Sequence, residues 1–268
     1  MKKKIIFRWV KVLVIAYCVI GIALYYLQDK LLFHPEPLDR NQNFNFNLPN
    51  KEVNIPFNAT SNLNLIQFTT ADTPRGVVLY FHGNRKNISH YAKFVPEFTR
   101  NGYEVWMMDY PGFGKSTGEF SEQRIYDWSL LIYNLSRKHF SPDSIIIFGK
   151  SMGTGIAAQL AAVRDTRRLI LETPYYSLPS IIGQYAPIYP VNRMIHFKIP
   201  TYKYLQRVTA PITIFQGTAD WIIWHSNAYA LRPFLKPGDE FISIQGGRHN
   251  NLHQFTIFQE KLDSVLTR

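Results

Sequence analysis

A serine hydroxyl is a weak nucleophile until a base takes its proton, and the base needs an acid to fix its tautomer and stabilise its charge. Gly149-Lys150-Ser151-Met152-Gly153 follows the apolar run SIIIF and opens a helix-forming stretch, MGTGIAAQLAAV. A G-x-S-x-G between strand and helix puts its serine on a sharp, strained turn. The flanking glycines avoid backbone clashes, and Oγ projects beside a helix N-terminus. Ser151 is therefore the expected nucleophile. In this architecture the partners follow in the order Ser, acid, His. His196, His225, His249 and His253 are the histidines after Ser151. His249 is the expected base, because a Gly246-Gly247 loop carries it between the run EFISI and the last helix, where it can reach across a sheet edge. His253 reads as part of that helix, His196 as part of an insertion, and His225 follows the acid too closely. The expected acid is Asp220, four residues after the strand PITIFQ, in QGTAD. Glu172, ending RRLILE, is the alternative, while Asp165, Asp239 and Glu240 read as solvated loop residues.

Acyl transfer also needs donors aimed at the developing oxyanion. His82-Gly83-Asn84 ends the run GVVLYF, so the backbone N–H groups of Asn84 and Met152 are the expected oxyanion hole, with His82 orienting the loop. The two GKS triplets, Gly114-Lys115-Ser116 and Gly149-Lys150-Ser151, suggest a phosphate loop. The glycine that such a loop requires is replaced by Asp109 and Ser144. Residues 109–116, DYPGFGKS, read as a structural turn.

These groups need a scaffold that brings strand ends together. Short β-branched runs at 76–81, 103–109, 144–149, 167–172, 211–216 and 240–244 alternate with helix-length segments, which implies βαβ units around a mostly parallel sheet with helices on both faces. Residues 41–64 hold nine Asn and read as turns and short edge strands. Thr173 to Ala210 interrupts the rhythm with many Tyr and Pro and no Asp or Glu, where a short lid is expected.

The 268 residues are 46% apolar and 18% charged, which excludes a disordered chain, and one cysteine excludes both a disulfide framework and a cysteine zinc site. The net charge of +11 is concentrated at one end. Lys2, Lys3, Lys4, Arg8 and Lys11 carry five of it, and 24 basic against 18 acidic residues leave +6 on residues 31–268. Without a basic stripe interleaved with aromatics, no nucleic-acid partner is expected. Val12 to Leu27 is uncharged, about 24 Å as a helix. Ile5 to Val10 extend it, and no small-residue cleavage site follows, so residues 5–27 are expected to cross a membrane uncleaved. The basic flank predicts a cytoplasmic N-terminus and a catalytic domain on the extracytoplasmic side. The expected division is a signal-anchor over 1–30 and one catalytic domain over 31–268, with the lid at about 173–210.

HGN (82–84), DYPGFGKSTG (109–118), GKSMGTG (149–155), GTAD (217–220) and GGRHN (246–250), in this order behind an apolar N-terminus, resemble membrane-anchored α/β-hydrolases of the BEM46/ABHD13-like serine hydrolase family. Pro111 and Asn251 depart from the common pattern. The resemblance implies the α/β-hydrolase fold, with Ser151 as nucleophile, Asp220 as acid and His249 as base. Such proteins cleave esters, thioesters or amides. The expected activity is hydrolysis of an acyl ester or thioester, lipid-like substrates included, through an acyl-serine and without metal or cofactor. A peptidase or amidase on the same triad, and a catalytically silent binding protein, are the alternatives. The lid's Arg193, Lys198, Lys203 and Arg207, alongside its tyrosines, lead to the expectation that it faces the membrane.

Overall fold

Runs such as GVVLYF have no polar alternate positions, so a strand made from one must be covered on both faces. The computed structural model describes residues 2–267; Met1 and Arg268, the outermost residues of the two expected segments, lie outside the described residues. Its sheet is built from β1 (Asn50–Pro56), β2 (Asn62–Phe68), β3 (Gly76–Phe81), β4 (Tyr103–Met108), β5 (Ile145–Lys150), β6 (Arg168–Glu172), β7 (Ile212–Gly217) and β8 (Glu240–Ile244). The spatial order is β8-β7-β6-β5-β3-β4-β2-β1. From β3 to β8 all pairings are parallel, and β2 is antiparallel to both β4 and β1. Every residue of β3, β5 and β7 is buried.

The Asn-rich stretch corrects one expectation, since β2 is an interior strand. Leu63 and Leu65 join the core on one face of the sheet and Ile66 and Phe68 the core on the other, all fully buried. Its alternating Asn residues hid an apolar pair on each face.

Helices α2 (Glu122–Ser136) and α3 (Gly153–Ala161) cover one face, while the turns at 88–99 and helix α7 (Thr256–Thr267) cover the other. In α2 the buried positions Ile125, Trp128, Ser129, Ile132, Tyr133 and Ser136 follow helical spacing. Ser121 Oγ accepts from Arg124 N at 3.2 Å to start that helix, a cap worth about 1 kcal/mol.

The interval between β6 and β7 folds into the short helices α4 (Leu178–Tyr185), α5 (Val191–Met194) and α6 (Thr201–Leu205). The N-terminal helix, α1 (Lys2–Leu32), is 31 residues, about 46 Å, and is long and apolar enough to cross a membrane. It ends two residues beyond the expected boundary and packs against the lid. Tyr17 and Tyr189 stack at 4.6 Å, and Gln28, the buried residue of α1, donates to Met194 O at 3.2 Å and accepts from His196 N at 2.6 Å. The lid's four cations do not share a face: Arg207 sits with Arg137 and Arg164 around a hollow at the amino ends of the strands, opposite Ser151.

Candidate active site

Ser151 follows β5 with φ +52°, a left-handed backbone that a serine occupies only when its surroundings enforce it. Packing around Gly149 and Gly153 does so. A Cβ on Gly153 would lie 2.0 Å from Phe81 O, and one on Gly149 would lie 2.5 Å from Gly153 O, so the turn can press against β3 and α3 only with glycine at both positions. Ser151 N donates to Glu172 O at 2.9 Å, which ties the turn to β6.

The strand ends bring three expected residues together. His249 Nε2 lies 2.9 Å from Ser151 Oγ, and His249 Nδ1 lies 2.8 Å from Asp220 Oδ2. Asp220 is fixed from its other side, because Oδ1 accepts from Ile222 N at 2.9 Å and Ile223 N at 3.0 Å, while Gln216 Nε2 reaches Oδ2 at 3.3 Å. The alternative acid is engaged elsewhere: Glu172 forms a buried ion pair with Lys150, and Lys150 Nζ also lies over the Phe94 ring. The other histidines are held away from Ser151. His225 Nε2 meets Ser243 Oγ at 3.0 Å, the His253 ring packs on Phe94, and the His196 ring packs on Tyr25. Asp239, expected in solvent, has its side chain buried, where Oδ1 accepts from Ile212 N at 2.9 Å and pairs with Lys236 at 2.8 Å. The need to cap the start of β7 put it there.

Asn84 and Met152 flank Ser151 on the side facing the lid, and together with Leu178 and Ile181 they line a narrow pocket of about 80 Å³ at Oγ. Behind Asn84, His82 is fully buried, with Nδ1 2.7 Å from Gly83 O and Nε2 3.4 Å from Asp109 Oδ1. Burial pushes the Asp109 carboxyl up, and contact with His82 opposes that shift. Asp109 also accepts from Ile88 N at 2.9 Å, and Ser116 Oγ donates to Asp109 O at 2.7 Å, so DYPGFGKS braces the loop after β3. Lys115 in the same turn forms an ion pair with Glu52 at 2.9 Å.

Ser151 and His249 open into a cleft of about 570 Å³ that also takes in His34, Arg85, Lys86 and Trp221. Among the described residues lining it there is no carboxylate. No motif pointed to the part that α1 plays here. Asn84 Nδ2 donates to Leu32 O at 2.5 Å, His34 N donates to Asn84 O at 2.9 Å, and His34–Pro35 pairs in parallel with Arg85–Lys86. The loop beside the serine is thus tied to the end of the N-terminal helix. The only sequence signal was proximity in the chain, since Leu32 ends the helix and residues 33 and 34 directly follow it.

A nucleophile, a base and an acid in hydrogen-bonded series, beside Asn84 and Met152 in one pocket, is an arrangement capable of acyl transfer. The family model described as serine aminopeptidase, S33, matches residues 72–202, which include Ser151 and end before Asp220. Curated relatives include alpha/beta hydrolase domain-containing protein 17C of Xenopus tropicalis, 26% identical over 72% of this chain and 62% of its own length. The protein of that name from Homo sapiens is 25% identical over 74% and 60%, so the match spans about three fifths of these relatives. Among solved structures, an esterase of Pyrococcus furiosus superposes with a TM-score of 0.68 at 16% identity, covering 88% of this chain and 98% of that one. Est1E of Butyrivibrio proteoclasticus, solved with ferulic acid bound, superposes with a TM-score of 0.63 at 16% identity over 79% and 96%. The fold is that of the α/β-hydrolases, and the relatives agree with a BEM46/ABHD-like hydrolase without singling out the ABHD13 type.

Proposed function

We propose that this chain, which has the α/β-hydrolase fold, is a membrane-anchored serine esterase or thioesterase that works through an acyl-serine. The observation that carries this reading is the unbroken series from Asp220 through His249 to Ser151 Oγ, at 2.8 and 2.9 Å. His249 Nε2 takes the hydroxyl proton as Oγ attacks the acyl carbonyl, and Asp220 stabilises the imidazolium. The Asn84 and Met152 amides hold the resulting oxyanion. Collapse of the adduct breaks the bond to the leaving alkoxide or thiolate, which receives the proton from His249. Water, deprotonated by the same imidazole, then releases the acid and restores Ser151.

The name of the matching family model favours a second reading, an aminopeptidase. Such an enzyme has to hold a free α-ammonium group, for which a carboxylate is the natural partner. The cleft instead presents Arg85 and Lys86, besides Lys150, whose charge Glu172 meets. That lining suits an anionic or neutral leaving group and supports the ester reading. In the same proposal α1 holds the domain to the bilayer, with its basic end cytoplasmic.

Labelling the full chain with a fluorophosphonate tests the nucleophile. Label is expected on Ser151 and is lost in Ser151→Ala, while label that persists in that variant refutes the assignment. Matched p-nitrophenyl ester and p-nitroanilide substrates separate esterase from amidase, and faster anilide cleavage overturns the ester reading.

A further inference from the structure

Helix α1 and the lid enclose a groove of about 640 Å³, with Ile20, Leu24 and Leu31 on one wall and Ile181, Ile182 and Ile188 on the other. The groove adjoins the site, since Leu32, Asn84 and Ile181 line both it and the narrow pocket that contains Ser151. We propose that this groove holds the acyl chain of the substrate, admitted sideways from the membrane leaflet on the catalytic side, with α1 forming one wall of the binding site. The proposal rests on the reading of Ser151 as the residue that is acylated.

The position of the groove relative to the bilayer follows from the helix. The uncharged run ends at Leu27, and Tyr17 lies ten residues below it, about 15 Å along the axis, or half of a hydrocarbon core of about 30 Å. The lid reaches that depth: Tyr17 stacks on Tyr189, Tyr17 Oη donates to Ile188 O at 3.2 Å, and Tyr189 Oη donates to Tyr17 O at 3.0 Å. Polar groups paired in this way meet the demand of hydrocarbon that they be satisfied within the protein. Ile188 and Tyr185 are 71% and 57% exposed, a cost to a lid in water and none to a lid in lipid.

Shape supports the same occupant. A Cβ on Gly21 would stand 3.0 Å from the Tyr189 ring, so helix and lid close tightly there and leave the groove on the Ile20 and Leu24 side. From Ile20 to Leu32 the groove runs beside about 18 Å of helix, the length of a long-chain fatty acyl group and far beyond an acetyl. A single chain in such a groove exchanges lipid contacts for protein contacts and leaves its carbonyl carbon at Oγ.

The test uses the full chain in phosphatidylcholine vesicles. The kcat/KM ratio for p-nitrophenyl palmitate over butyrate is measured for wild type, for Leu24→Trp, which fills the groove, and for Val19→Trp, on the same helix outside it. A ratio that falls at least tenfold in Leu24→Trp and holds in Val19→Trp is expected. An unchanged ratio in Leu24→Trp, or a wild type that cleaves butyrate but not palmitate, overturns the proposal. Should Leu24→Trp fail to fold, a palmitoyl-length fluorophosphonate with a terminal diazirine decides on wild type. Crosslinks to residues 20–31 or 181–189 are expected, and crosslinks confined to the cleft near Trp221 refute the groove. A wild type that takes no fluorophosphonate at all instead removes the serine reading. To separate the sources of the chain, palmitate hydrolysis is repeated with an S-palmitoyl peptide as competitor, where inhibition points to a thioester-linked chain, and fatty acid released from the phosphatidylcholine itself is measured, where release points to a lipid.

Discussion

Replacing Asp220 by Asn changes one proton and almost no volume, which makes it the sharpest perturbation of the site. Oδ1 of the new side chain can still accept from the Ile222 and Ile223 amides, now at 2.9 and 3.0 Å, so the loop keeps its shape. The other end becomes a donor where Asp220 Oδ2 now accepts from His249 Nδ1 at 2.8 Å. The imidazole must then accept at Nδ1 and carry its proton on Nε2, which faces Ser151 Oγ at 2.9 Å and can no longer take the serine proton. In a serine protease the same exchange lowers kcat about 10⁴-fold, which at 1.36 kcal/mol per tenfold is about 5.4 kcal/mol of lost transition-state stabilisation. We expect a loss of that order here. The new amide also faces Gln216 Nε2, now 3.3 Å from Oδ2, which adds a stability cost of about 1–3 kcal/mol for opposed donors. Single-turnover hydrolysis of a p-nitrophenyl ester measures the chemical step, and a denaturant titration separates it from unfolding. A folded Asp220→Asn enzyme with kcat within tenfold of wild type would show that another group orients His249.

Glu172→Gln strands the buried Lys150 charge and is expected to cost about 3–5 kcal/mol in a denaturant titration. Turnover per folded molecule should stay within tenfold, and a loss matching that of Asp220→Asn would return Glu172 to the triad. Gly153→Ala drives a Cβ against Phe81 O and His82 O, backbone atoms that cannot yield, and is expected to lose about 3 kcal/mol or fail to fold; a wild-type Tm would contradict the contact. Burial, with Glu172 nearby, pushes Glu97 from 4.5 up to about 8. Its folded pKa is above its unfolded one, so its contribution to stability is full below pH 4.5 and is lost as the pH rises through 8. Thermal melts from pH 5 to 9 should show that decline in wild type and a flatter one in Glu97→Gln, and parallel curves would refute the buried-acid argument.

Periodicity and local motifs made much of this protein legible. The β-branched run at 76–81 is a strand over the same residues in the structure, because a strand buried on both faces has no polar alternate to blur it. Ser151, Asp220 and His249 could be named from their places after strands, since the fold gathers the carboxyl ends of parallel strands on one edge. β2 was harder to read, because its Asn residues mask the Leu63–Leu65 and Ile66–Phe68 pairs that point into opposite cores. Glu172 and Asp239 show a further limit: whether a carboxylate meets Lys150, a strand amide or an imidazole depends on which strand end lies beside it, and that is a fact of register. The contact between α1 and the lid lay furthest from reach. Composition marks residues 5–27 as long and apolar enough to cross a membrane, but the stacking of Tyr17 on Tyr189 and the hold of Leu32 O on Asn84 join residues far apart in sequence, and tertiary packing alone decides such pairs.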